Sequence, residues 1–268
     1  MKKILIAGCL IISASLVRAQ QKQGQVTYER TSQLQISFQG MPGGMEQQMP
    51  KTRTDKFELT FGNNQSLWKQ GEQETDDDGP SFGGEGVQIR MVVAGANDVL
   101  YTNLETGKKV EKRELFEKSF IIDDTISTLK WKMTGETKTI LGLPCMKATA
   151  SNIRKRTLMN MDNGKIERKE VEDTANIVAW FTSSIPVSVG PAEYQGQLPG
   201  LILEMDIKDG TQVFKATAIS EKADLAIIKE PAGKKHYTPE EFRAEREKMM
   251  KEMEQNNQGG GHRVIRMN

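Results

Sequence analysis

Apolar and polar residues alternate in short runs along most of the chain, which is the two-residue period of a β-strand with one buried face. These runs recur from Val26 to Ala150 and again from Asn176 to Ile219, with Gly, Asn and Asp at the turns between them. Many short strands at this spacing predict a mainly β protein built as a sandwich, a barrel or a curved antiparallel sheet. The continuous apolar run Asn176–Thr182 predicts a strand that is buried on both faces.

The turn pair Asp209-Gly210 predicts the register of one hairpin, because a two-residue Asp-Gly turn joins two antiparallel strands directly. Met205 then lies opposite Phe214 on an apolar face. Glu204 lies opposite Lys215 on the other face, where opposite charges stabilise a cross-strand pair. One apolar and one mixed face are typical of an antiparallel sheet that covers a core.

A single helix is predicted near the end of the chain, over residues 238–255. Thr238-Pro-Glu-Glu241 combines an N-cap, a proline at the first helical position and a glutamate that completes a capping box. Apolar residues then recur on one stripe of an otherwise charged helix. They are Phe242, Met249 and Met253. The glycine-rich residues 256–268 are predicted to form a disordered tail.

The first 19 residues have the pattern of a cleavable signal peptide. Two lysines precede the apolar run Ile4–Val17, and small or aliphatic residues lead up to Ala19. Cleavage is expected near Ala19-Gln20, which predicts a periplasmic protein with no transmembrane span after cleavage. The alternative is a lipoprotein anchored through Cys9, since the residues before this cysteine resemble a lipobox. It is less favoured because the apolar run ahead of Cys9 is too short.

These patterns divide the chain into a signal peptide, 1–19, an antiparallel β domain, 20–237, the charged helix and the tail. Residues 71–86 within the β domain are acidic and rich in glycine, and they predict a mobile insertion. Three of the 37 Lys and Arg residues lie in the signal peptide and no acid does, so the mature chain carries 34 basic against 36 acidic residues. This balance provides no basic field, which argues against nucleic acid as a partner. A monomer is expected.

The sequence offers no catalytic constellation. Its two histidines and one mature cysteine, Cys145, do not supply a nucleophile with a base beside it. Cys145 is predicted to be a buried core residue and forms no internal disulfide. Met41, Met45 and Met49 carry soft sulfur ligands, but no Cys/His cluster with ligand spacing supports a metal site. We therefore expect no enzymatic activity, no cofactor and no metal.

Several motifs in the second half of the chain resemble those of the GLPGLI family of Gram-negative envelope proteins. They are Trp131-Lys-Met-Thr134, Cys145-Met-Lys-Ala148, Ala179-Trp-Phe181, Ile185-Pro186, Gly190-Pro191 and Leu198-Pro-Gly-Leu-Ile202. The resemblance covers roughly residues 95–220, and it departs at Gln197, where the family usually has glycine. It implies an exported protein, often encoded near outer-membrane receptors, with no established activity. By a looser analogy, the strand pattern looks like the half-barrel of periplasmic lipoprotein carriers.

Candidate binding residues cluster around the Pro/Gly-rich loop that precedes the Asp-Gly hairpin, because ordered loops on a rigid sheet are common binding sites. They are Glu193, Tyr194, Leu198, Pro199, Gly200, Trp180 and Trp131. An equally favoured interpretation is that this loop only covers the end of the sheet. The leading functional hypothesis is a non-catalytic binding or carrier module. Its apolar ligand would lie against a groove lined or backed by Leu201, Leu203, Met205, Phe214, Trp180 and Trp131. The alternative is an accessory protein that docks to an outer-membrane, TonB-dependent receptor.

Overall fold

The computed structural model describes residues 21–33, 51–72, 81–82, 89–90, 97–162 and 165–257. Several predictions therefore lie outside the described residues. They include the signal peptide, Cys9, the methionines at positions 41, 45 and 49, most of the predicted insertion and the tail beyond residue 257.

The described residues form fourteen β-strands, one short 3-10 turn and one α-helix. The strands are β1 Gly24–Gln33, β2 Thr52–Gly62, β3 Gln65–Gln70, β4 Ser81–Phe82, β5 Ile89–Arg90, β6 Val99–Asn103, β7 Lys108–Leu115, β8 Lys118–Thr125, β9 Lys132–Ile140, β10 Leu143–Asp162, β11 Lys165–Thr182, β12 Leu201–Ile207, β13 Gln212–Ser220 and β14 His236–Tyr237. The 3-10 turn covers Leu225–Ile227, and the helix α1 covers Pro239–Asn257.

Twelve of the strands form one sheet, and β4 pairs with β5 separately. The order across the large sheet is β14-β8-β7-β6-β3-β2-β1-β13-β12-β11-β10-β9. Neighbouring strands are antiparallel apart from β14 and β8, which run parallel. Because β14 and β9 remain at opposite edges, the curved sheet is not closed. The prediction of a mainly β fold with a curved antiparallel sheet and a C-terminal helix is confirmed.

The hairpin of β12 and β13 has the register that its turn predicts. Asp209 and Gly210 both have positive φ, 51° and 83°, as a type I′ turn requires. Met205 pairs with Phe214, and both side chains are buried. This agreement arises because a tight turn fixes the pairing of every residue that follows it.

β11 differs from its prediction over its last residues, Asn176–Thr182. Ile177, Ala179 and Phe181 are buried, but the alternating residues Val178 and Trp180 are only half-buried. The prediction of a strand buried on both faces is therefore wrong. On the second face, the long side chains of Lys138 and Lys147 cover Trp180 in place of a second layer of apolar residues. This face is therefore partly open.

The largest apolar cluster lies between the centre of the sheet and the loop that precedes β12. Tyr28, Phe61 and Phe181 are almost completely buried there. The Tyr28 hydroxyl donates a hydrogen bond of 2.6 Å to the Ile202 carbonyl oxygen, so the polar end of this buried ring is satisfied. Burial also raises the pKa of Tyr28 far above its usual value.

Helix α1 begins with the predicted capping box. The Thr238 hydroxyl accepts from the Glu241 N–H at 3.2 Å, and the Glu241 carboxylate accepts from the Thr238 N–H at 2.8 Å. Phe242 and Met249 are buried in a small cluster with Phe120 of β8, so the predicted apolar stripe packs on the sheet. None of the described helices combines the length and the hydropathy that a membrane crossing needs.

Candidate functional site

Residues 183–200, here called the crossover loop, connect β11 to β12 and are hydrogen-bonded to the start of β12. The Leu201 N–H donates to the Ile185 carbonyl at 3.1 Å, and the Ile202 N–H donates to the Val189 carbonyl at 2.9 Å. β13 pairs only with the later part of β12. The loop therefore satisfies backbone groups that would otherwise be buried without partners.

Gln195 fixes the interior of the crossover loop. Its side chain is fully buried, with Oε1 accepting from the Ser66 hydroxyl at 3.1 Å and Nε2 donating to the Gly190 carbonyl at 2.7 Å. A buried amide is tolerated only when such partners replace water. Gln195 consequently links two parts of the loop to each other and attaches the loop to β3.

Gln197 joins the same loop to the segment that follows β8. Its Oε1 accepts from the Leu129 N–H at 3.0 Å and from Trp131 Nε1 at 3.2 Å, and its Nε2 donates to the Ser127 carbonyl at 2.8 Å. The sequence marks Gln197 only as a departure from the family pattern. The structure shows that this side chain positions residues 127–131.

Two glycines let the crossover loop approach its neighbours closely. Gly196 has a φ of +71°, and a Cβ there would lie 2.8 Å from Ile126 Cδ1. A Cβ on Gly200 would collide with the Thr182 carbonyl oxygen of β11. Side chains at either position would displace the loop, so glycine is required for the observed packing.

A cleft of about 670 Å³ lies between the sheet, the crossover loop and α1, and we call it the sheet–helix cleft. Strands β1–β3 and β6–β8 line one side, and residues 192–197 of the loop and the first two turns of α1 line the other. Its apolar residues include Phe57, Trp68, Val99, Leu100, Ile122, Leu129, Tyr194, Pro239 and Phe242. Its charged residues are Arg30, Asp98, Lys109, Glu111, Arg113, Asp124, Glu193, Arg243 and Arg246.

Most of the charged side chains on the sheet side of the cleft are paired. Lys109 Nζ lies 2.9 Å from the Asp124 carboxylate, and Arg113 Nε lies 2.7 Å from the Glu111 carboxylate. Arg30 Nη2 lies 2.8 Å from Asp55, which is buried behind the cleft. These pairs reduce the net charge that this side presents to a ligand.

Two acidic side chains in the cleft have raised pKa values. Burial raises the pKa of Asp98, although the Glu114 N–H donates to its carboxylate at 2.9 Å. Burial also raises the pKa of Glu111, and the negative charges of Asp98 and Glu193 add to this effect against the opposing influence of Arg113. Groups with perturbed pKa values inside a cleft are typical of functional sites.

Two arginines of α1 differ from the other cations of the cleft. Neither Arg243 nor Arg246 forms an ion pair with any residue that the structure describes. Arg246 Nε is shielded from solvent and has no hydrogen-bond partner. A buried N–H donor without a hydrogen-bond partner costs free energy. Binding of an acceptor atom on this side of the cleft would therefore be favourable.

Comparisons with known proteins were made for the whole chain. Residues 131–204 match the family model described as "Protein of unknown function (Porph_ging)". This match falls on the stretch that carries the GLPGLI motifs, from Trp131 to the start of β12. No curated protein matches the chain.

Two solved structures resemble the backbone. "Structure of PNGF-II in C2 space group" has 17% identity and a TM-score of 0.48, and the alignment covers 84% of this chain and 32% of that chain. "Structure of PNGF-II in P21 space group" has 15% identity and a TM-score of 0.49, with 83% and 32% covered. This chain thus spans about a third of the length of those PNGF-II chains.

The structure places the seven predicted binding residues in different environments. Glu193 and Tyr194 line the sheet–helix cleft. Leu198 and Gly200 are buried within the crossover loop, and Pro199 is exposed beside them. Trp131 is held by its hydrogen bond to Gln197 and is not part of the lining. The loop therefore covers the end of the sheet and also contributes a wall of the cleft.

Trp180, the remaining predicted binding residue, lies outside the cleft. Lys138 Nζ lies 4.3 Å from the centre of its ring and 2.8 Å from the Glu204 carboxylate. The predicted register between Glu204 and Lys215 is confirmed, but the ion pair of Glu204 is formed with Lys138 on β9. The two lysines that flank Trp180 stabilise it through cation–π contacts.

The apolar residues predicted to line or back a groove are in the packed interior. Leu201, Leu203, Met205 and Phe214 are all at most 2% exposed and belong to the main cluster. Sequence reasoning missed Arg243 and Arg246, because the amphipathic pattern of α1 indicates only which residues pack on the sheet. Arg246 lies four residues after Phe242 and therefore on the same side of the helix, whereas Arg243 directly follows Phe242 and carries no such signal.

Cys145 is buried and has no feature of a reactive thiol. It is 1% exposed, and burial raises its pKa, which disfavours the thiolate. Its thiol lies 3.5 Å from the Leu143 carbonyl oxygen. Among the described side chains, no group of three or more His, Cys, Asp and Glu residues is placed to hold a metal ion.

Proposed function

We propose that this chain is an exported binding module of the cell envelope, that its ligand site is the sheet–helix cleft, and that it binds without catalysing a reaction. The observation that carries the proposal is the cleft itself. A volume of about 670 Å³ is within the range of small-molecule sites, roughly 300–1,000 Å³. The predicted signal peptide and the GLPGLI resemblance support export to the periplasm.

The construction of the cleft supports binding. Its walls are strands, a hydrogen-bonded loop and a capped helix, so the lining side chains are held in place before a ligand arrives. Pre-organised sites lose less conformational entropy on binding. The lining mixes apolar surface with charged groups, which favours a ligand that has both characters.

A bulky residue at the mouth of the cleft tests this proposal. Ser127 is exposed and lines the cleft, whereas its neighbour Thr128 is exposed and does not. Ser127→Trp should fill part of the cleft, and Thr128→Trp adds the same side chain outside it. We expect native mass spectrometry of protein purified gently from the periplasm to show a retained small molecule on wild type and Thr128→Trp only. Equal retention by both variants would place the ligand elsewhere.

Docking to a partner, such as an outer-membrane receptor, is the second candidate function. Large apolar side chains are exposed on and beside the edge strand β9, where a partner could cover them. They are Met133, Leu141, Met146 and Ile153, which are 40–65% exposed. Cross-linking from Met133 and Met146 positions in intact cells, followed by mass spectrometry, distinguishes this function. A stoichiometric receptor at this edge, together with no ligand in the cleft, would favour docking over ligand binding.

A further inference from the structure

The charges of the sheet–helix cleft do not balance. Five cationic and four acidic side chains line it. Lys109 and Arg113 have carboxylate partners within 2.9 Å among the lining residues, and Arg30 has one behind them. Arg243 and Arg246 have no such partner in the described part of the chain, so the helix side carries the unneutralised charge.

The two unpaired arginines are suited to hold one anionic group together. They are three residues apart on α1, which places them on the same side of the helix. A guanidinium presents paired N–H donors whose geometry matches a carboxylate or a phosphate. An acceptor oxygen near Arg246 would also satisfy its solvent-shielded Nε, which lacks a partner.

The acidic residues of the cleft do not form a competing site for a cation. Asp124 and Glu111 are each bound by a cationic neighbour. Asp98 accepts a backbone hydrogen bond, and Glu193 also has an interaction partner. Burial favours the neutral forms of Asp98 and Glu111. A bound cation would therefore meet satisfied carboxylates and two unpaired arginines.

The remaining surface of the cleft suits an apolar group. Phe57 and Trp68, which both line the cleft, stack at a centroid distance of 4.9 Å with an interplanar angle of 11°, and the Arg30 guanidinium lies 4.6 Å from the centre of the Phe57 ring. Leu100 and Leu129 add aliphatic surface on the sheet side. Removing apolar ligand surface from water against these side chains stabilises the complex in proportion to the area buried.

We propose that the sheet–helix cleft binds a small amphiphilic anion, with its carboxylate or phosphate group held by Arg243 and Arg246 and its apolar part against Trp68 and Leu129. This inference rests on the proposed function of the cleft and specifies the class of its ligand. An acyl chain with an acidic head group has the required chemistry.

The test measures binding of five probes by isothermal titration calorimetry, with full-length protein exported to and purified from the periplasm. Decanoate and decyl phosphate carry both parts of the proposed ligand, and decyltrimethylammonium carries the opposite charge. Acetate and inorganic phosphate carry the anion alone. We expect binding of decanoate and decyl phosphate, with affinities at least about tenfold higher than those of the other three, because charge-assisted and apolar contacts must combine.

Paired charge variants of α1 separate the specific site from general electrostatics. Arg243→Gln with Arg246→Gln removes the proposed anion contacts and should weaken decanoate binding about tenfold or more. Lys248→Gln with Lys251→Gln removes the same charge from exposed positions of the same helix that do not line the cleft, so it should change affinity less than twofold. Circular dichroism melting verifies that both pairs remain folded.

Each alternative result has a distinct meaning. Equal weakening by both pairs, or equal binding of decyltrimethylammonium, overturns the anionic ligand class. Acetate or phosphate binding as tightly as the decyl probes overturns the amphiphile. If a decyl probe of the wrong charge binds and Ser127→Trp abolishes that binding, the cleft is still the ligand site and only the ligand class fails. Binding of no probe overturns this inference, while a native ligand retained as described above would leave the proposed function standing.

Discussion

At the scale of single residues, Asp55 is a buried carboxylate held between two arginines. Its side chain is 2% exposed, and it accepts hydrogen bonds from Arg30 at 2.8 Å and from Arg53 at 2.8 Å. Burial alone would raise the pKa of Asp55, but the two arginines outweigh burial and hold the pKa below its usual value. The ionised carboxylate therefore stabilises the folded state.

Replacement of this carboxylate should change the pH dependence of stability. Because the folded-state pKa of Asp55 lies below the unfolded value of roughly 3.9, its contribution is complete above that pH and disappears as pH falls through the folded-state pKa. We expect Asp55→Asn to lower the free energy of unfolding by about 2 kcal/mol at pH 7. Urea denaturation from pH 7 to pH 2.5 should show the difference from wild type shrinking in acid.

The exposed residue Asp209 provides a matched control for this carboxylate-to-amide change. Asp209→Asn retains a residue that the type I′ turn accepts, so its effect should stay within about 0.5 kcal/mol. A loss at Asp55 that remained constant down to pH 2.5 would show that packing, and not the ionised pair, is responsible.

At the scale of elements, the crossover loop depends on glycine for close packing as well as for backbone freedom. Gly196 and Gly142 have similar φ values, +71° and +77°, but a Cβ at Gly142 has nothing within 4 Å. We expect Gly142→Ala to cost about 1 kcal/mol from backbone strain alone. Gly196→Ala should cost about 1–2 kcal/mol more in thermal or urea denaturation, because Ile126 must move.

A double-mutant cycle identifies the origin of that extra cost. Adding Ile126→Ala to Gly196→Ala should recover most of the difference from Gly142→Ala, since the smaller side chain makes room for the Cβ. If the effects of Gly196→Ala and Ile126→Ala simply add, contact with Ile126 does not explain the requirement for glycine.

The elements that the sequence predicts well are those defined by local rules. Asp209-Gly210 gave the β12–β13 register, and the capping box from Thr238 gave the start of α1, because neighbouring residues determine both features. The partner of Glu204 was not predictable in this way. Lys138 reaches it from β9, across two intervening strands of the sheet, so only the three-dimensional fold brings the pair together.

At the scale of the whole molecule, α1 forms one wall of the sheet–helix cleft and is attached mainly by its buried stripe. Phe242 is 7% exposed and packs edge-on against Phe120 at 5.3 Å. We expect Phe242→Ala to cost about 3 kcal/mol at this contact and to release the helix locally while the centre of the sheet stays folded.

Hydrogen exchange measured by mass spectrometry tests this separation. Amides of α1 should exchange faster in Phe242→Ala, and amides of β1 and β2 should remain as protected as in wild type. Lys248→Ala, an exposed change on the same helix, should leave both regions unaffected. Equal loss of protection in β1 and α1 would mean that the helix and the sheet unfold as one unit.

The cleft could be predicted only in part, because its residues come from distant parts of the chain. Arg30, Lys109, Glu193 and Arg246 line the same cavity although more than 200 positions separate the first from the last. Glu193 and Tyr194 could be predicted from the sequence because the Pro/Gly-rich loop that contains them is recognisable. No local pattern indicates that the first turns of α1 face that loop.

The central position of β1 has a consequence for how the protein folds. β1 pairs with β2 on one side and with β13 on the other. The first strand of the domain therefore cannot complete its pairing until one of the last strands is present. Strands β2, β3 and β6 to β8 can associate as soon as they are synthesised, but one edge of β1 stays unpaired until about 180 further residues have been added to the chain. Strand pairing over such a long sequence separation is slow. Until it forms, the unpaired edge of β1 is exposed and can pair with other chains. We expect chaperones to bind this nascent chain, and truncations that end before Gln212 to aggregate.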